Sequence, residues 1–569
     1  MRKQCLTIGC HPVSIRCVGV VGVAAPFRGG LTMESVIDDQ QPGGTTGTLP
    51  HLRRAGKTSQ LIVDGKPYLA LGGELHNSSA SSPEYMAPIW DKLASNGVRT
   101  VIGVASWQLV EPEEGRFDFA AVDDQIEQAR ARGIRLVLIW FGAYKNAEST
   151  YAPSWVRRDE ARFPRAERDQ ENLVRGRFTL DAPILSVFGE DLLAADARAF
   201  AALMAHLAEI DTDHTVIAVQ VENEVGLLGD SRDRSPLATA AYERQVPQEL
   251  LEGLGRRGDT LHPWLREVWT AAGGRTAGTW AEVFGANGDG DEVFMSWGFS
   301  RYVDRVAQAG VAAHGLPVFT NAWLGPQPNA QAPGQYPSGG PVARMLDVWQ
   351  IGAPSLAFLS PDIYIDDFEG TLAQYDVNGN PIFVPEARPD AALAFVALGA
   401  HKAIGFHPFG IESVPDDSEL FRAYAVLNEM TDLILEAQAN DRIHGFRVRT
   451  GERQTATIGG FEITISGSFQ TFGLFGEGTG AAADEVVGYG LILQVDADEF
   501  VVVARHASVA FSRTDAVVEF DRLLEGTYRD GAWAPRRTLN GDERHFMFRS
   551  DDVRTVRISL LRRPGSAVD

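Results

Sequence analysis

Between residues 59 and 410, short β-branched or apolar runs alternate with longer segments of helical periodicity, and this pattern limits the fold more than any other property of the 569-residue chain. An alternation of this kind predicts parallel strands joined by crossover helices. Eight runs have the composition of strands, at residues 69–73, 99–104, 135–140, 215–221, 317–320, 355–359, 381–384 and 402–406. Eight such strands predict an α/β fold of the (β/α)8 type, a TIM barrel.

Glycines follow the helical segments where helices are expected to end. Residues 85–96 precede Gly97 and residues 122–132 precede Gly133, and a glycine there supplies the positive φ that terminates many helices. The gaps after strands three and four are longer than one helix requires, and the second contains residues 227–316. Because loops after strands form the active-site face of this fold, we expect these insertions to wall a pocket. The alternative is a solvent-exposed elaboration.

Three regions of different composition predict the domain organisation. Residues 59–434 form the predicted barrel, and residues 435–569 carry alternating segments, separated by Gly, Asp and Asn, that predict an antiparallel β-sandwich-like accessory domain. Residues 1–58 are expected to be a disordered or targeting segment, or a mis-started extension. A basic start before an apolar stretch fits a signal peptide and a periplasmic or secreted protein, whereas initiation at Met33 implies a cytoplasmic one.

Composition argues against several classes of partner and cofactor. The chain has 52 basic and 75 acidic residues, a formal charge of -23, which repels nucleic acid and anionic membrane surfaces. No apolar run reaches the about 18 residues of a membrane span, and all 3 cysteines lie within the first 17 residues. Because no zinc-ligand spacing or phosphate-binding loop is found, we expect no metal and no cofactor. The sequence is compatible with a homo-oligomer.

Carboxylates stand at the ends of two predicted strands. Glu222, Asn223 and Glu224 end strand four, and Glu386 follows strand seven. A buried carboxylate costs several kcal/mol unless it is paired or neutralised, so such strand ends are either surface caps or sites. In a closed barrel Glu224 and Glu386 face one another. Two carboxyl groups that flank one bond are what glycoside hydrolysis requires, one protonated and the other ionised.

A series of short motifs, in order along the chain, resembles glycoside hydrolase family 35 within the clan of barrel glycosidases. The resemblance covers roughly residues 60–410 and rests on residues 61–67, 73–76, 83–85 and 115–119, on Trp107, on Glu111 with Pro112, on residues 141–148, and on residues 220–224. The C-terminal region is similar to that of a bacterial subgroup whose accessory β domain has no assigned role. The resemblance implies a carbohydrate substrate.

The resemblance also implies residue roles. Glu224 corresponds to the general acid and base, Asn223 to the residue that holds the sugar 2-hydroxyl, and Glu386 is taken as the nucleophile. Substrate contacts are expected from residues of the matched motifs and of strand ends five and six, namely Glu74, His76, Trp107, Tyr144, Asn146, Ala147, Glu148, Trp323 and Tyr364. His407, after strand eight, is interpreted as an interior histidine.

These assignments predict a retaining, exo-acting β-galactosidase that removes terminal β-galactosides from oligo- or polysaccharides by double displacement. Two positions depart from the family pattern: Val104 stands where a tyrosine is usual, and Val225 where an aromatic residue is usual. A related retaining glycosidase of another sugar, an arabinoside, fucoside or glucoside, is therefore the first alternative. A non-catalytic carbohydrate-binding barrel is the second.

Overall fold

The central element of the computed structural model is a barrel of eight parallel strands, and the described residues are 48–169, 183–467, 486–545 and 547–564. The barrel strands are β4 (Ala70–Glu74), β5 (Thr100–Ser106), β6 (Arg135–Lys145), β7 (Val216–Asn223), β8 (Val318–Trp323), β9 (Phe358–Asp362), β10 (Phe383–Ala387) and β11 (Gly405–Pro408). Neighbours pair in this order, and β11 pairs with β4. The barrel closes where Ile363 donates its N–H to the Glu386 carbonyl at 2.9 Å. The predicted TIM barrel is confirmed.

Helices connect and surround these strands. They are α1 (Pro83–Ser95), α2 (Trp107–Val110), α3 (Ala120–Ala131), α4 (Ser154–Arg158), α5 (Glu190–Ile210), α6 (Pro236–Tyr242), α7 (Gln248–Arg257), α8 (Pro263–Ala271), α9 (Trp280–Phe284), α10 (Gly288–Ala313), α11 (Leu346–Gly352), α12 (Phe368–Tyr375), α13 (Ala391–Gly399), α14 (Glu419–Glu429) and α15 (Thr431–Ala439). Gly97 and Gly133 follow α1 and α3 with φ of 72° and 67°, as their sequence positions predict.

A three-stranded antiparallel sheet precedes the barrel and packs across its amino-terminal end. Its strands are β1 (His51–Ala55), β2 (Thr58–Val63) and β3 (Lys66–Tyr68). Leu52, Leu61 and Val63 belong to the same buried cluster as Ile217 and Phe319 of the barrel interior. The prediction that folded structure starts at residue 59 is therefore wrong, because the strand at 51–55 is paired with β2.

The connections after the third and fourth barrel strands are long, and both contain additional helices. Residues 146–189 separate β6 from α5 and contain α4, and residues 224–287 separate β7 from α10 and contain the four helices α6 to α9. Helices α5 and α10 then pack side by side on the barrel, with Phe200 and Met204 close to Gly310. The insertions thus add to the carboxyl-terminal face of the strands, where sites form in this fold.

Two antiparallel sheets follow the barrel. The strands are β12 (Ile443–Arg449), β13 (Arg453–Ile458), β14 (Phe461–Gly467), β15 (Val487–Asp496), β16 (Glu499–Arg505), β17 (Ala507–Ser512), β18 (Ala516–Arg529), β19 (Ala532–Leu539) and β20 (Arg554–Pro564). Six form one sheet, in the order β12-β15-β16-β20-β18-β19, and β13, β14 and β17 form the other. One buried cluster, with Phe461 and Phe500 in it, joins them. The predicted antiparallel C-terminal domain is confirmed.

The larger C-terminal sheet also packs against the barrel. Tyr489, Leu491 and Val503 belong to the main buried cluster together with Phe395 of α13. Gly399 of α13 and Gly445 of β12 permit this approach, since a Cβ at Gly399 would lie 2.1 Å from the Gly445 nitrogen. The predicted boundary at residue 435 falls inside α15, which packs on the barrel side, where Gln60 donates to the Leu435 carbonyl at 3.0 Å.

The alternatives for the N-terminal segment, a signal peptide or initiation at Met33, lie outside the described residues. Over the ranges that are described, no helix is both long and apolar enough to cross a membrane.

Candidate active site

Polar side chains from several barrel strands converge at the carboxyl-terminal end of the barrel. Glu74 ends β4, Asn223 ends β7, Asp362 ends β9 and Glu386 lies in β10, all of them buried. Glu224 follows Asn223 and is also buried. Because carboxyl groups repel one another when ionised at close range, such a cluster must hold protons, countercharges or both. The sequence prediction that Glu224 and Glu386 point to one place agrees with this arrangement.

Glu386 receives hydrogen bonds from Asn223, at the end of β7, and from Tyr364, which follows β9. Asn223 donates from Nδ2 to Oε1 of Glu386 at 3.3 Å, and the Tyr364 hydroxyl donates to Oε2 at 2.8 Å. Burial and the Glu386 charge raise the pKa of Tyr364 well above its ordinary value, so this hydroxyl keeps its proton and remains a donor. Donors of this kind favour the carboxylate form of their acceptor.

Glu224 is held differently. Its backbone N–H donates to Oδ1 of Asn321 at 2.9 Å, and Asn321 in turn donates from Nδ2 to Oδ2 of Asp362 at 2.6 Å. Burial and the nearby Glu386 raise the pKa of Glu224 to about 8, against the opposing effects of Lys145 and Asp362. At neutral pH the site therefore contains a protonated carboxyl group at Glu224 beside Glu386.

Backbone strain marks the two segments that carry these residues. Asn146, Ala147, Glu222 and Glu224 have φ of 52°, 57°, 62° and 47°. For residues other than glycine this left-handed conformation costs roughly 1–2 kcal/mol each. Cross-strand hydrogen bonds maintain it, since the N–H groups of Asn146 and Ala147 donate to the carbonyls of Asn223 and Glu224 at 3.2 and 3.1 Å. The loop after β6 is thus attached directly to the strand that carries the predicted acid.

Two buried carboxyl groups, those of Glu222 and Asp196, support this attachment. Glu222 accepts from the N–H groups of Ala143 and Tyr144 at 3.1 and 2.7 Å. Asp196 of α5 accepts from Trp140 and from Tyr302, both at 2.8 Å. Burial and the Asp196 charge raise the pKa of Glu222 well above its ordinary value, which keeps a proton between the two carboxyl groups. Helix α5, β6 and β7 are joined by this one cluster.

Glu74 is fully buried. Within the described residues, neither of its carboxyl oxygens has a hydrogen-bond partner. Burial, followed by the charge of Glu386, raises its pKa well above the ordinary value. After Glu74 the chain turns away from the barrel interior. The N–H of His76 donates to Glu412 at 2.9 Å, and the His76 ring contacts Ser413 at 3.0 Å. His76 is exposed and stands apart from the carboxyl cluster.

Three of the predicted substrate contacts line one cavity. Asn146, Glu148 and Trp323 surround a space of about 230 Å³, together with Lys145 and Tyr151. Ala147 is buried between Asn146 and Glu148, and it contributes backbone groups rather than a polar side chain. This cavity lies directly beside Asn223, to which Lys145 is hydrogen-bonded. The loop predicted to contact sugar hydroxyls is therefore next to the carboxyl cluster.

Trp107 and Tyr144, two further predicted substrate contacts, are buried in the protein interior. Trp107 is fully buried and donates from Nε1 to Glu111 at 2.8 Å, so its indole is part of the core. Tyr144 is fully buried too, and its hydroxyl donates to the Leu185 carbonyl at 3.2 Å. Neither side chain can contact a sugar in this structure. His407 is an interior histidine as interpreted, and burial lowers its pKa to about 3, which keeps the ring neutral.

Three residues of the site were missed in the sequence, namely Lys145, Asn321 and Asp362. Asn321 and Asp362 stand near the ends of β8 and β9, so an inspection of every strand end for polar residues would find them. Lys145 lies inside the motif at 141–148 but occupies its variable position. Over the described ranges, no group of three or more His, Cys, Asp or Glu side chains is arranged to hold a metal ion.

Two family models match parts of the chain. Residues 81–277 match the glycoside hydrolase family 42 model, described as "Beta-galactosidase", and residues 420–549 match a "Domain of unknown function (DUF5597)". The first match covers β5, β6, β7 and Glu224 but ends before Glu386. The barrel segment is thus similar to β-galactosidase-type glycoside hydrolases. The finer assignment to family 35 is not confirmed, because the model that matches is that of family 42.

Individual relatives show the same similarity over limited lengths. "Beta-galactosidase" of Xanthomonas manihotis is 30% identical over 177 residues, which are 30% of this chain and 26% of that protein. Human "Beta-galactosidase-1-like protein 3" is 28% identical over 195 residues, 33% of this chain and 26% of that protein. The matched region thus spans about a quarter of each of these two proteins. The solved β-galactosidase from Bacillus circulans sp. alkalophilus aligns with a TM-score of 0.43 at 15% identity, over 65% of this chain and 57% of that one.

Proposed function

We propose that this protein is a glycoside hydrolase, and more specifically a retaining, exo-acting β-galactosidase that acts on oligo- or polysaccharides. One observation carries the proposal: Asn223, which precedes Glu224 in the chain, donates a hydrogen bond to Glu386 across the barrel. The two carboxyl groups are thereby assigned to one site, as a pair that flanks a glycosidic bond requires. The match of residues 81–277 to a model described as "Beta-galactosidase" favours galactose as the sugar.

The proposed reaction uses the unequal protonation of the two carboxyl groups. Glu386 attacks the anomeric carbon while Glu224 gives its proton to the departing oxygen, and a covalent glycosyl-enzyme forms. Once Glu386 is esterified its negative charge is gone, and with it the repulsion that raises the pKa of Glu224. Glu224 can then remove a proton from the incoming water. Tyr364 donates to the Glu386 carboxylate before the attack, and Asn223 is the residue proposed to hold the sugar 2-hydroxyl.

The test is hydrolysis of an aryl β-galactoside by Glu224→Gln and Glu386→Gln. Each change is expected to lower kcat/KM by about 10²–10⁴-fold or more, because an acid or nucleophile of the reaction is lost. Glu113→Gln, which alters an exposed carboxylate of the same domain, serves as the matched control and should leave turnover unchanged. Near wild-type turnover of either active-site variant would remove that residue from the mechanism.

The stereochemistry and the sugar are tested separately. NMR of the first product should show the β-anomer of the released sugar, as retention requires, and an α-anomer would replace double displacement by inversion. A panel of chromogenic galactosides, arabinosides, fucosides and glucosides distinguishes the sugars. The alternative sugars are favoured by Val104, which lines a cavity of about 460 Å³ together with Asn77, Ser106 and Tyr151. Binding of glycans without any released product would favour the non-catalytic barrel.

A further inference from the structure

Lys145 places a positive charge inside the carboxyl cluster. It is the last residue of β6 and is only 6% exposed. Its Nζ donates to Oδ1 of Asn223 at 2.9 Å and lies 5.1 Å from the centre of the Phe141 ring. A lysine buried at such a position loses hydration that must be replaced by specific contacts. The Asn223 carbonyl oxygen is the contact that the side-chain geometry provides.

This hydrogen bond fixes which way the Asn223 amide faces. A lysine ammonium group has only donors, so it can bind only the oxygen end of an asparagine side chain. With Oδ1 held by Lys145, the Nδ2 group must face the other way, and there it donates to Glu386 at 3.3 Å. A reversed amide would place two donors against each other and an oxygen against the Glu386 carboxylate. Lys145 therefore determines the donor that Asn223 presents to the site.

The charge of Lys145 lies among acidic groups. Four carboxyl groups face it from different strands or from the loop after β7, those of Glu74, Glu224, Asp362 and Glu386. Although burial opposes it, these neighbours raise the pKa of Lys145 above its ordinary value, so the ammonium form persists. The same charge opposes the rise in the pKa of Glu224. Lys145 thus places a positive charge beside these carboxyl groups.

We propose that Lys145 is a positioning residue, which holds the amide of Asn223 so that its N–H group faces the sugar 2-hydroxyl and Glu386. The inference rests on the proposed function, since it gives Asn223 a substrate to position. A contact with the 2-hydroxyl that strengthens in the transition state affects turnover more than binding. Loss of Lys145 is therefore expected to reduce kcat with little change in KM.

The experiment compares two substrates in two proteins. Lys145→Met keeps an unbranched apolar stem but removes the donor and the charge. Its kcat/KM for an aryl β-galactoside should fall by about 10²-fold, the typical effect of a misplaced catalytic contact. For the matching 2-deoxy-β-galactoside, which has no 2-hydroxyl to hold, the fall should be about tenfold smaller. Lys145→Arg, which keeps the charge and a donor, should recover part of the galactoside activity.

A control and a second readout separate positioning from simple loss of structure. Lys92→Met removes a half-buried lysine that donates to the Glu412 carbonyl at 2.8 Å outside the cluster, and it should change neither substrate ratio nor kcat. In Lys145→Met the alkaline limb of the pH profile should shift to higher pH, because the positive charge that lowers the pKa of Glu224 is removed. If the variant unfolds, the same substrate comparison in Lys145→Arg and Lys145→Gln decides the question.

Two failures are distinguishable. Equal losses on the galactoside and its 2-deoxy analogue, in an active wild-type background, would overturn the role of Lys145 and leave the proposed function intact. A wild-type protein that hydrolyses no glycoside of the panel would overturn the function, and the inference with it.

Discussion

Individual side chains in this site are distinguished mainly by where their protons are held. Glu224 and Glu386 belong to one cluster, yet Glu386 receives donors from Asn223 and Tyr364, whereas the pKa of Glu224 is raised to about 8. Pairs of titratable groups whose surroundings drive their protonation apart are how acid and base roles are divided in many enzymes. The raised pKa of Glu224 has measurable consequences for pH dependence.

The first consequence concerns activity. Glu224 must be protonated to act as an acid, so kcat/KM should fall as pH rises through about 8. A pH profile of kcat/KM on an aryl β-galactoside measures this alkaline limb. In Glu224→Gln the limb should disappear from the small residual activity. A wild-type profile that falls only above pH 10 would contradict the assignment of this limb to Glu224.

The second consequence concerns stability. Because folding raises the pKa of Glu224 from 4.5 to about 8, its proton favours the folded state fully at low pH, and this contribution is lost as pH rises through about 8. Glu224→Gln removes that dependence. Thermal unfolding of the variant should therefore occur at a temperature higher than the wild type by several degrees near pH 9, and by much less near pH 5. A difference that does not vary with pH would contradict this linkage.

Strands and helices place these side chains with a precision that the sequence predicts only in part. Strand positions follow from apolar run lengths, so the ends carrying Glu224 and Glu386 could be found from the sequence. Strand β6 could not be described in this way, since its pairing with β7 is irregular between Trp140 and Lys145. The irregularity changes which face each residue occupies. As a result, the side chain of Tyr144 lies in the layer of helices and that of Lys145 lies inside the barrel. This arrangement depends on the contacts of Glu222 and Asp196.

The junction of α5, β6 and β7 is therefore expected to be sensitive. Asp196→Ala leaves the Trp140 and Tyr302 donors without their buried acceptor, at a cost of about 1–3 kcal/mol for each group. Thermal unfolding should occur at a lower temperature, and KM should rise because residues 146–148 lose their support. Glu209→Ala removes an exposed carboxylate from the same helix and is the control. Equal unfolding temperatures for the two variants would contradict the supporting role of Asp196.

The described part of the chain consists of a barrel and a second β structure that packs on α13. Main-chain atoms meet directly at this contact, where a Cβ at Gly445 would lie 2.0 Å from the Phe395 carbonyl oxygen. Tyr489 also reaches the barrel side, and its hydroxyl donates to Glu419 at 2.5 Å. The larger C-terminal sheet therefore shares a buried contact surface with the barrel. This contact was not predictable from the alternating pattern of residues 435–569, which indicates strands but not the surface they face.

Substitution at the contact tests this dependence. Gly445→Ala should lower the unfolding temperature by several degrees, because overpacking of a close contact costs about 1–3 kcal/mol. Gly255→Ala is the matched control, since no atom outside its own helix lies within 4 Å of the added Cβ. It should be neutral or slightly stabilising, as alanine is a better helix former. An unfolding temperature of Gly445→Ala equal to that of the control would contradict the proposed close packing.

The small sheet across the amino-terminal end of the barrel has a kinetic consequence. Leu52, Leu61 and Val63 fill that end together with the side chains inside the barrel, so we expect substrate to reach the carboxyl cluster from the opposite rim. In the proposed mechanism, the leaving alcohol and the arriving water molecule use the same opening of the site. The alcohol has to leave before water can hydrolyse the glycosyl-enzyme. We therefore expect slow release of bulky leaving groups to limit turnover.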